Sequence, residues 1–435
     1  MAHGKGSQIA PVLTRVLPRR RIRELATKLG VVRRRRKLDI VAFVYSLVLG
    51  FSAGDRRTLG SLRRSYFRAT GVRLAPSSFY ARFSESLTSL LRTLALDALS
   101  GLSRDQPKLK AAFAPLREVL AVDCALLRLH NALEPFYPSV FTHYMKASAK
   151  LCVVMNVIGR GAKLVTLTHG SRHDTHLLHA GPWMKGRLLI FDLGFYRIPL
   201  FQQIDEHGGY FLSRMRKHGN PVIVRSHKRS HRDLTGIELN DAQHIVGTAT
   251  LDVEAEMGFA VRHKRPPYVT NHQARFRCVA LYNAELGQWH RYITNLPPKL
   301  MRAEHMTAVY AARWEVELLF RELKKTYRIE QTPSKSRHVT ETLIYAALLT
   351  LVVSRALQRA LRARWKADPW RLPIDRWAVL VAMVADQLLA LVTSRRDRAW
   401  RATRIERFLR AEATDPNQNR IPLPFRAELG LYSQR

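Results

Sequence analysis

The chain has 435 residues, of which 46% are hydrophobic, so it can form two or three domains and bury a sizeable core. It carries 72 Lys and Arg against 34 Asp and Glu, a formal net charge of +38. A field of that size attracts polyanions, and nucleic acid is the usual polyanionic partner of a basic protein. The three cysteines, Cys124, Cys152 and Cys278, form no CxxC pair, which excludes a cysteine-based zinc finger and a disulfide framework.

Membrane association is not expected. The N-terminal stretch "MAHGKGSQIAPVL" lacks the apolar segment of a signal peptide. The apolar stretch 343–353 is too short to span a bilayer, and the stretch 377–392 contains Asp386 and Gln387. Both stretches are therefore predicted to be buried helices of a cytoplasmic protein in a reducing compartment.

Residues 1–112 are predicted to form a basic helical DNA-binding domain. Positions 1–73 contain 18 Lys or Arg and three acids, and they include an arginine run at 33–37. Further on, Gly71 predicts a turn, and Pro76 followed by Ser77 and Ser78 predicts a new helix. This pattern is compatible with a helix-turn-helix that binds DNA or with a helical hairpin whose bases are solvated.

Strands dominate from about residue 113. "EVLAVDCALLRL" (118–129) is apolar and rich in β-formers, and the segments around 151–159 and 162–170 are predicted to form a hairpin. "GRLLIFDLGFY" (186–196) predicts a buried strand, "IPLFQQIDEHG" a helix that ends at Gly208, and "YFLSRMR" a further strand. This order indicates a mixed α/β catalytic domain over 113–350.

Short strand-like segments between about 218 and 300 predict a small β-rich insertion within this domain, with "HIVGTATLDV" and "GFAVRHKR" as two of its strands. Helices dominate from 303 onward. Residues 351–435 are assigned to a helical C-terminal region that could serve dimerisation.

Two acids follow apolar strand segments. Asp123 comes after "EVLAV", and Asp192 comes after "GRLLIF". A carboxylate on a buried strand is costly unless it is paired or binds a cation, and a divalent metal relieves the repulsion between two of them. The alternative is that each acid only caps a turn.

A third acid is expected in "YAARWEVELLFRELKKTYRIE" (310–330), which predicts one continuous helix. At about 100° per residue, Tyr310, Arg313, Glu317 and Lys324 fall within about 60° of one line. Glu315 and Glu322 fall on another face, where we expect them to be solvated and paired with nearby bases. The stripe suits metal and phosphate binding, and a salt-bridged surface helix is the alternative.

The stripe resembles the signature helix of the DDE transposases of the insertion-sequence-four family, Y-x2-R-x3-E-x6-K, with every spacing kept. "FDLGFY" resembles the second-Asp motif of that family, and "VDCALLRL" resembles the first. Cys124 and Ala125 stand where the first motif usually has a small residue and then Thr.

The resemblance implies a ribonuclease-H-like core with a β-strand insertion, in which Asp123, Asp192 and Glu317 bind two Mg²⁺ ions, Mn²⁺ being a plausible substitute. Tyr310, Arg313 and Lys324 would bind the DNA, and Trp289, the only Trp of the insertion, would stack on an extruded base or else belong to the core.

The implied activity is end cleavage and strand transfer of an insertion sequence by a cut-and-paste route. The implied partners are double-stranded element ends and target DNA, bound by a homodimer near the nucleoid of a bacterium or archaeon. The alternative, suggested by Cys124 and Ala125, is an inactive or domesticated DNA-binding derivative.

Overall fold

The architecture is described from a computed structural model. The structure describes residues 7–32, 38–50, 58–104, 109, 114–141, 143–227, 233–264, 267–330, 334–367, 371–394 and 396–416. The predicted arginine run at 33–37 lies outside these ranges.

The N-terminal region is helical, as predicted. Its helices are α1 (Ile9–Val16), α2 (Arg19–Lys28), α3 (Ile40–Leu49), α4 (Leu59–Thr70), α5 (Pro76–Tyr80) and α6 (Glu85–Arg104). Gly71 ends α4 with a φ of +70°, a left-handed conformation that glycine adopts without strain, and Pro76 occupies the first turn of α5. The turn and the helix start are thus confirmed, although α5 has only five residues.

The strands of the chain are β1 (Glu118–Arg128), β2 (Ser148–Asn156), β3 (Gly161–His169), β4 (Arg187–Phe191), β5 (Tyr210–Arg214), β6 (Val222–Ser226), β7 (Leu251–Lys264), β8 (Pro267–Asn283) and β9 (Gln288–Thr294). Helix α7 (Ile198–Glu206) follows β4 and ends before Gly208, and helix α8 (Leu239–Val246) precedes β7. The predicted strand, hairpin and helix assignments between 118 and 214 are confirmed.

All these strands belong to one mixed nine-stranded sheet, in the order β3-β2-β1-β4-β5-β9-β8-β7-β6. Strand β1 lies antiparallel to β2 and parallel to β4, and β4 lies parallel to β5. Because β1 is central and is covered on both sides, its first five residues are all buried.

The predicted insertion forms strands, but they extend the central sheet, because β9 pairs with β5 at Leu212–Thr294. Two details of the prediction were wrong. The "HIV" of "HIVGTATLDV" ends helix α8, and "GFAVRHKR" continues β7 instead of forming its own strand. Long pairing with β8 keeps β7 extended through Gly258, where the predicted second strand began.

The remaining helices are α9 (Met306–Ala311), α10 (Trp314–Arg321), α11 (Arg337–Trp365), α12 (Ile374–Met383), α13 (Ala385–Thr393) and α14 (Arg398–Ala413). The two apolar stretches are buried helices, as predicted. Helix α11 is long and apolar enough to cross a membrane, yet 94% of its most apolar window is buried inside the protein. Helices α12 and α13 pass the same test only when taken together, and they meet at 56°.

The N-terminal and C-terminal helices share one hydrophobic core with one face of the sheet. Thr88 of α6 hydrogen-bonds to Thr342 of α11 at 3.0 Å, and Thr350 of α11 donates to the carbonyl of Val48 at 2.6 Å. A second core, beneath α7 and the inserted strands, covers the other face. The middle of the sheet is therefore held between two apolar layers.

Candidate active site

Two carboxylates lie side by side in the middle of the sheet. The parallel register of β1 and β4 pairs Val122 with Phe191, so Asp123 and Asp192 are the next residues on the two strands. Neighbouring strands lie about 4.8 Å apart, so the backbone brings these acids close together. Asp192 then begins a short 3-10 turn at Leu193–Phe195, and its side chain makes no capping hydrogen bond there. The capping alternative therefore does not explain this acid.

The environment of Asp123 disfavours its charge. The pKa of this carboxyl is raised to about 6, mainly by burial and also by the nearby charges of Asp192 and Glu317. The backbone N–H of Cys124, which donates to Asp123 at 2.8 Å, and the guanidinium of Arg313 oppose that rise. The same influences show that all three acids of the predicted site act on one another.

The segment that carries Glu317 is not one uniform α-helix, contrary to the prediction. A tight turn, in which Arg313 N–H donates to Tyr310 at 3.0 Å, separates α9 from α10, and a π-helical turn follows at Glu322–Thr326. A tight turn adds rotation per residue and a π turn removes it, so the two irregularities partly cancel. The predicted stripe of Tyr310, Arg313, Glu317 and Lys324 consequently still faces one side.

Arg313 joins the helix to the sheet. Its guanidinium donates to Glu317 at 2.5 Å and to Asp123 at 3.3 Å. The buried Tyr310 ring lies beneath the same group, 5.9 Å from ring centroid to guanidinium carbon. The structure thus brings together the three predicted acids, Tyr310 and Arg313.

Lys324 contacts β1 beyond Asp123. Its ammonium donates to the carbonyl of Leu126 at 2.8 Å, three residues beyond Asp123, and pairs with Glu330 at 2.9 Å. Glu330 therefore neutralises Lys324 in this structure.

The prediction that Glu315 and Glu322 are solvated was wrong. Both are buried: Glu315 lies 3.6 Å from Arg160 of the β2–β3 turn, and Glu322 forms an ion pair with the buried Arg355 of α11. Burial raises the pKa of Glu322, and Arg355 counteracts this rise. The opposite face of the helix is covered by protein, so these acids anchor it.

One functional candidate, Arg214, was not identified from the sequence, and the sequence left a second, Asp174, with two alternative roles. The guanidinium of Arg214, at the end of β5, lies 5.5 Å from the centroid of the Tyr310 ring. Asp174, which could either orient the site or cap a helix, pairs with Lys150 at 2.6 Å and lies against the turn after Asp192. A Cβ atom on Gly194 would lie 3.2 Å from an Asp174 carboxylate oxygen, so glycine permits this close approach. Only the position of Asp174 in a loop after β3 could have indicated its role.

Cys124 of β1 lies beside Cys152 of β2, its partner in the antiparallel register. The hydrogen bond between the two thiols and burial raise the pKa of Cys124 far above its ordinary value. The departure from the family motif at this position therefore provides an inert thiol beside Asp123.

Trp289 takes part in none of these contacts. It is half-buried on β9 opposite Tyr282 of β8, with ring centroids 5.5 Å apart, and it packs at the edge of the second core. The lining of an open cleft of about 1010 Å³ includes Tyr196 and Arg197, which follow the turn after Asp192.

The donor set fits a divalent metal chemically. Carboxylate oxygens are the ligands that Mg²⁺ prefers, and Asp123, Asp192 and Glu317 supply them from three elements. Within the described ranges, no three His, Cys, Asp or Glu side chains are close enough to hold an ion as they stand. Arg313 supplies the positive charge between Asp123 and Glu317 instead.

Comparisons with known proteins agree with this arrangement. A family model described as "Transposase DDE domain" matches residues 115–353, which include all three acids. The transposases for insertion sequence elements IS231B and IS231C of Bacillus thuringiensis subsp. berliner are 20% and 21% identical to the chain, over 76% of it and 76% of each relative.

Among solved structures, one described as a cryo-EM structure of the piggyBac transposase synaptic complex with hairpin DNA has a TM-score of 0.45. It is 10% identical and covers 96% of this chain and 88% of that one.

Proposed function

Since the chain belongs to the transposase DDE-domain family, we propose that it is a cut-and-paste transposase of the insertion-sequence-four group, which cleaves the ends of its element and joins them to target DNA. The observation that carries the proposal is the convergence of Asp123, Asp192 and Glu317 around Arg313.

The three acids are the proposed catalytic residues and metal ligands. Two features support this assignment. All three side chains are carboxylates, which Mg²⁺ prefers as ligands, and Asp123 and Asp192 follow paired residues of two neighbouring strands. Bound Mg²⁺, or Mn²⁺ in its place, would supply the charge that activates a water or a DNA 3′-hydroxyl and stabilises the leaving oxygen.

The basic side chains of the stripe are the proposed phosphate contacts. Arg313 can offer a planar pair of N–H donors to phosphate oxygens once its carboxylate partners have another cation. Lys324 is placed along β1 beyond Asp123, where it can neutralise a neighbouring phosphate, and the Tyr310 hydroxyl can hydrogen-bond to a further one.

The partners we propose are double-stranded element ends and target DNA, bound by a homodimer in the bacterial or archaeal cytoplasm. The net charge of +38 and the 18 bases in the first 73 residues support DNA binding by the N-terminal region. Trp289 remains the proposed base-stacking residue of the insertion. Because the side chain is half-buried, a base would have to stack on the solvent-exposed face of its ring.

A ribonuclease-H-like core is the proposed fold of the catalytic domain. Its support is the five-strand part of the sheet, in which β3, β2 and β1 are antiparallel and β4 and β5 run parallel to β1. The proposed division remains 1–112, 113–350 and 351–435, with the insertion at about 218–300.

The test compares Glu317→Gln with two other glutamate variants on DNA that carries the element ends. We expect Glu317→Gln to abolish Mg²⁺-dependent cleavage while DNA binding persists, because only a ligand is lost. Glu412→Gln, an isosteric change at an exposed position, should cut like the wild type. Glu322→Gln should lower stability but, below its melting temperature, still cut.

Three outcomes decide the proposal. Cleavage by Glu317→Gln at the wild-type rate contradicts the assignment of the site. Wild-type binding without nicking identifies an inactive DNA-binding derivative. Wild-type cleavage without joining of a supplied pre-cut 3′-hydroxyl end identifies a nuclease that lacks strand transfer.

A further inference from the structure

The loop between β1 and β2 exposes a group of large apolar side chains. We call residues 129–141 and 143–147 the aromatic loop. Within it, the exposed fractions are 52% for Phe136, 58% for Val140, 42% for Phe141 and 65% for Tyr144. Several large apolar side chains exposed within one loop mark an interaction site more often than isolated surface residues do.

The base of the aromatic loop is fixed. Tyr137 is buried, and its hydroxyl donates to Glu341 of α11 at 2.5 Å. Pro138 bridges to Ala147, and Ser139 N–H donates to the carbonyl of Lys146 at 3.1 Å. The exposed side chains are therefore presented by a hydrogen-bonded frame, and no element among the residues that the structure describes covers them.

The aromatic rings are arranged as stacking surfaces. The Phe141 and Tyr144 rings are stacked, with centroids 5.3 Å apart and planes 26° apart. The guanidinium of Arg337, at the start of α11, lies 5.2 Å from the centroid of the Phe136 ring. Aromatic rings accompanied by Arg are the surfaces on which proteins stack unpaired bases, largely regardless of base identity.

The surroundings of the loop favour a polyanionic partner. Arg337 lies against the Phe136 ring and also pairs with Glu341. Arg128 and Lys146, near the two ends of the loop, are exposed, as is the acid Glu134. Exposed bases beside exposed aromatic rings suit the phosphates and the bases of a nucleic-acid strand.

The loop also lies on a path from the candidate site. Arg128 is five residues beyond Asp123 on β1, about 17 Å at strand spacing, which is about five nucleotides of stacked DNA. Lys324 contacts β1 at Leu126, between these two points. A strand that leaves the three carboxylates in this direction meets a lysine and then the rings.

We propose that Phe136, Phe141 and Tyr144 form a stacking surface for unpaired bases of the DNA strand that runs along β1 from the candidate site. The proposal rests on the proposed function, because it takes DNA at the three carboxylates as its starting point. It concerns unpaired bases because the faces of bases inside a duplex are already covered by their neighbours.

The test measures binding of the full chain to a single-stranded oligonucleotide that contains 2-aminopurine and to the same sequence as a paired duplex. For Phe141→Ala/Tyr144→Ala we expect about 5- to 140-fold weaker binding of the single strand, the range for loss of one stacked base. Duplex binding should change little. The dependence of affinity on salt should be unchanged, since no phosphate contact is lost.

Matched controls keep the result specific. Tyr144→Phe retains the ring and should bind like the wild type. Trp400→Ala removes a ring that is 61% exposed on α14 and is also covered by an arginine, Arg404, and it should have no effect. Circular dichroism and the melting temperature establish that each variant is folded.

The inference is overturned if the double variant binds the single strand like the wild type, or if it loses duplex binding equally. It is also overturned if the double variant instead loses self-association in sedimentation, which would assign the patch to a second copy of the chain. Failure of the proposed function is a separate result, because it appears as absent cleavage by the wild type.

Discussion

Arg313 donates a hydrogen bond of 3.3 Å to Asp123, a residue 190 positions earlier in the chain. This contact, together with the bond from Arg313 to Glu317, means that an arginine neutralises two of the proposed metal ligands in the DNA-free protein. The proposed phosphate contact would therefore compete with these carboxylates for Arg313.

Replacement of Arg313 by Gln should strengthen metal binding while it weakens cleavage. A hydrogen bond to a charged group contributes about 1.5–3 kcal/mol, so freeing the carboxylates should tighten Mg²⁺ binding by about 10- to 140-fold. Isothermal titration of the DNA-free protein measures this change. Arg321→Gln, which breaks an exposed pair with Asp375, is the matched control and should leave Mg²⁺ affinity unchanged. Weaker Mg²⁺ binding by Arg313→Gln would show that the arginine supports the metal site instead of competing for it.

Asp123→Asn should stabilise the metal-free protein in a pH-dependent way. The folded-state pKa of Asp123 is about 6, above its ordinary value of 3.8, so the ionised carboxylate destabilises the folded state. The penalty is absent below about pH 3.8, grows as pH rises to about 6 and is then constant. Its full size corresponds to up to about 3 kcal/mol.

Urea unfolding in the presence of EDTA, at pH 4 and at pH 7.5, measures this effect as a difference in the free energy of unfolding. We expect Asp123→Asn to have a larger free energy of unfolding than the wild type only at pH 7.5. Glu412→Gln should have the same free energy of unfolding as the wild type at both pH values. Equal stability of Asp123→Asn and the wild type at pH 7.5 would contradict the conclusion that burial disfavours the ionised form of this carboxyl.

Removal of one member of the buried Glu322–Arg355 pair should destabilise the chain severely. Glu322→Gln leaves the Arg355 charge buried and uncompensated, which costs about 3–5 kcal/mol. The double change Glu322→Leu/Arg355→Met should recover most of that loss, because two apolar side chains then replace two charges. Thermal melting curves of the three proteins test this. A melting temperature of Glu322→Gln equal to that of the wild type would mean that the pair does not anchor the helix.

Gly194→Ala should impair cleavage more than it impairs folding. The new Cβ would lie 3.2 Å from the Asp174 carboxylate, so the turn after Asp192 must shift away from it. A small misplacement of a catalytic group can cost about 100-fold in rate, and we expect a loss of about 10- to 100-fold. Gly181→Ala adds a Cβ at an ordinary 3.5 Å contact near Trp183 and should cut normally. Single-turnover cleavage rates compare the two, and normal cleavage by Gly194→Ala would remove the turn from the account of the site.

Much of the site was predictable from local patterns. Apolar runs that end at an acid identified β1 and β4, and helix geometry selected Glu317 among four acids of one stretch. Tyr310, Arg313, Glu317 and Lys324 still share one side despite the tight turn and the π turn within 310–330. A tight turn rotates the chain more per residue than an α-helix and a π turn rotates it less, so the two deviations partly cancel. The position of Arg214 could not be predicted, and for Asp174 the sequence left open whether it orients the site or caps a helix. Each of them reaches the site through pairing or packing with segments distant in the chain.

The sequence by itself determined the charge of the protein, the alternation of strands and helices, and the spacing of Tyr310, Arg313, Glu317 and Lys324. Only the tertiary structure decided that Glu315 and Glu322 are buried and that the inserted strands extend the central sheet. The physical reason is the same in each case. The periodicity of the sequence predicts which residues share one face of a helix or strand. What covers that face depends on partners such as Arg160, Arg355 and β5, and only folding brings these into contact with it.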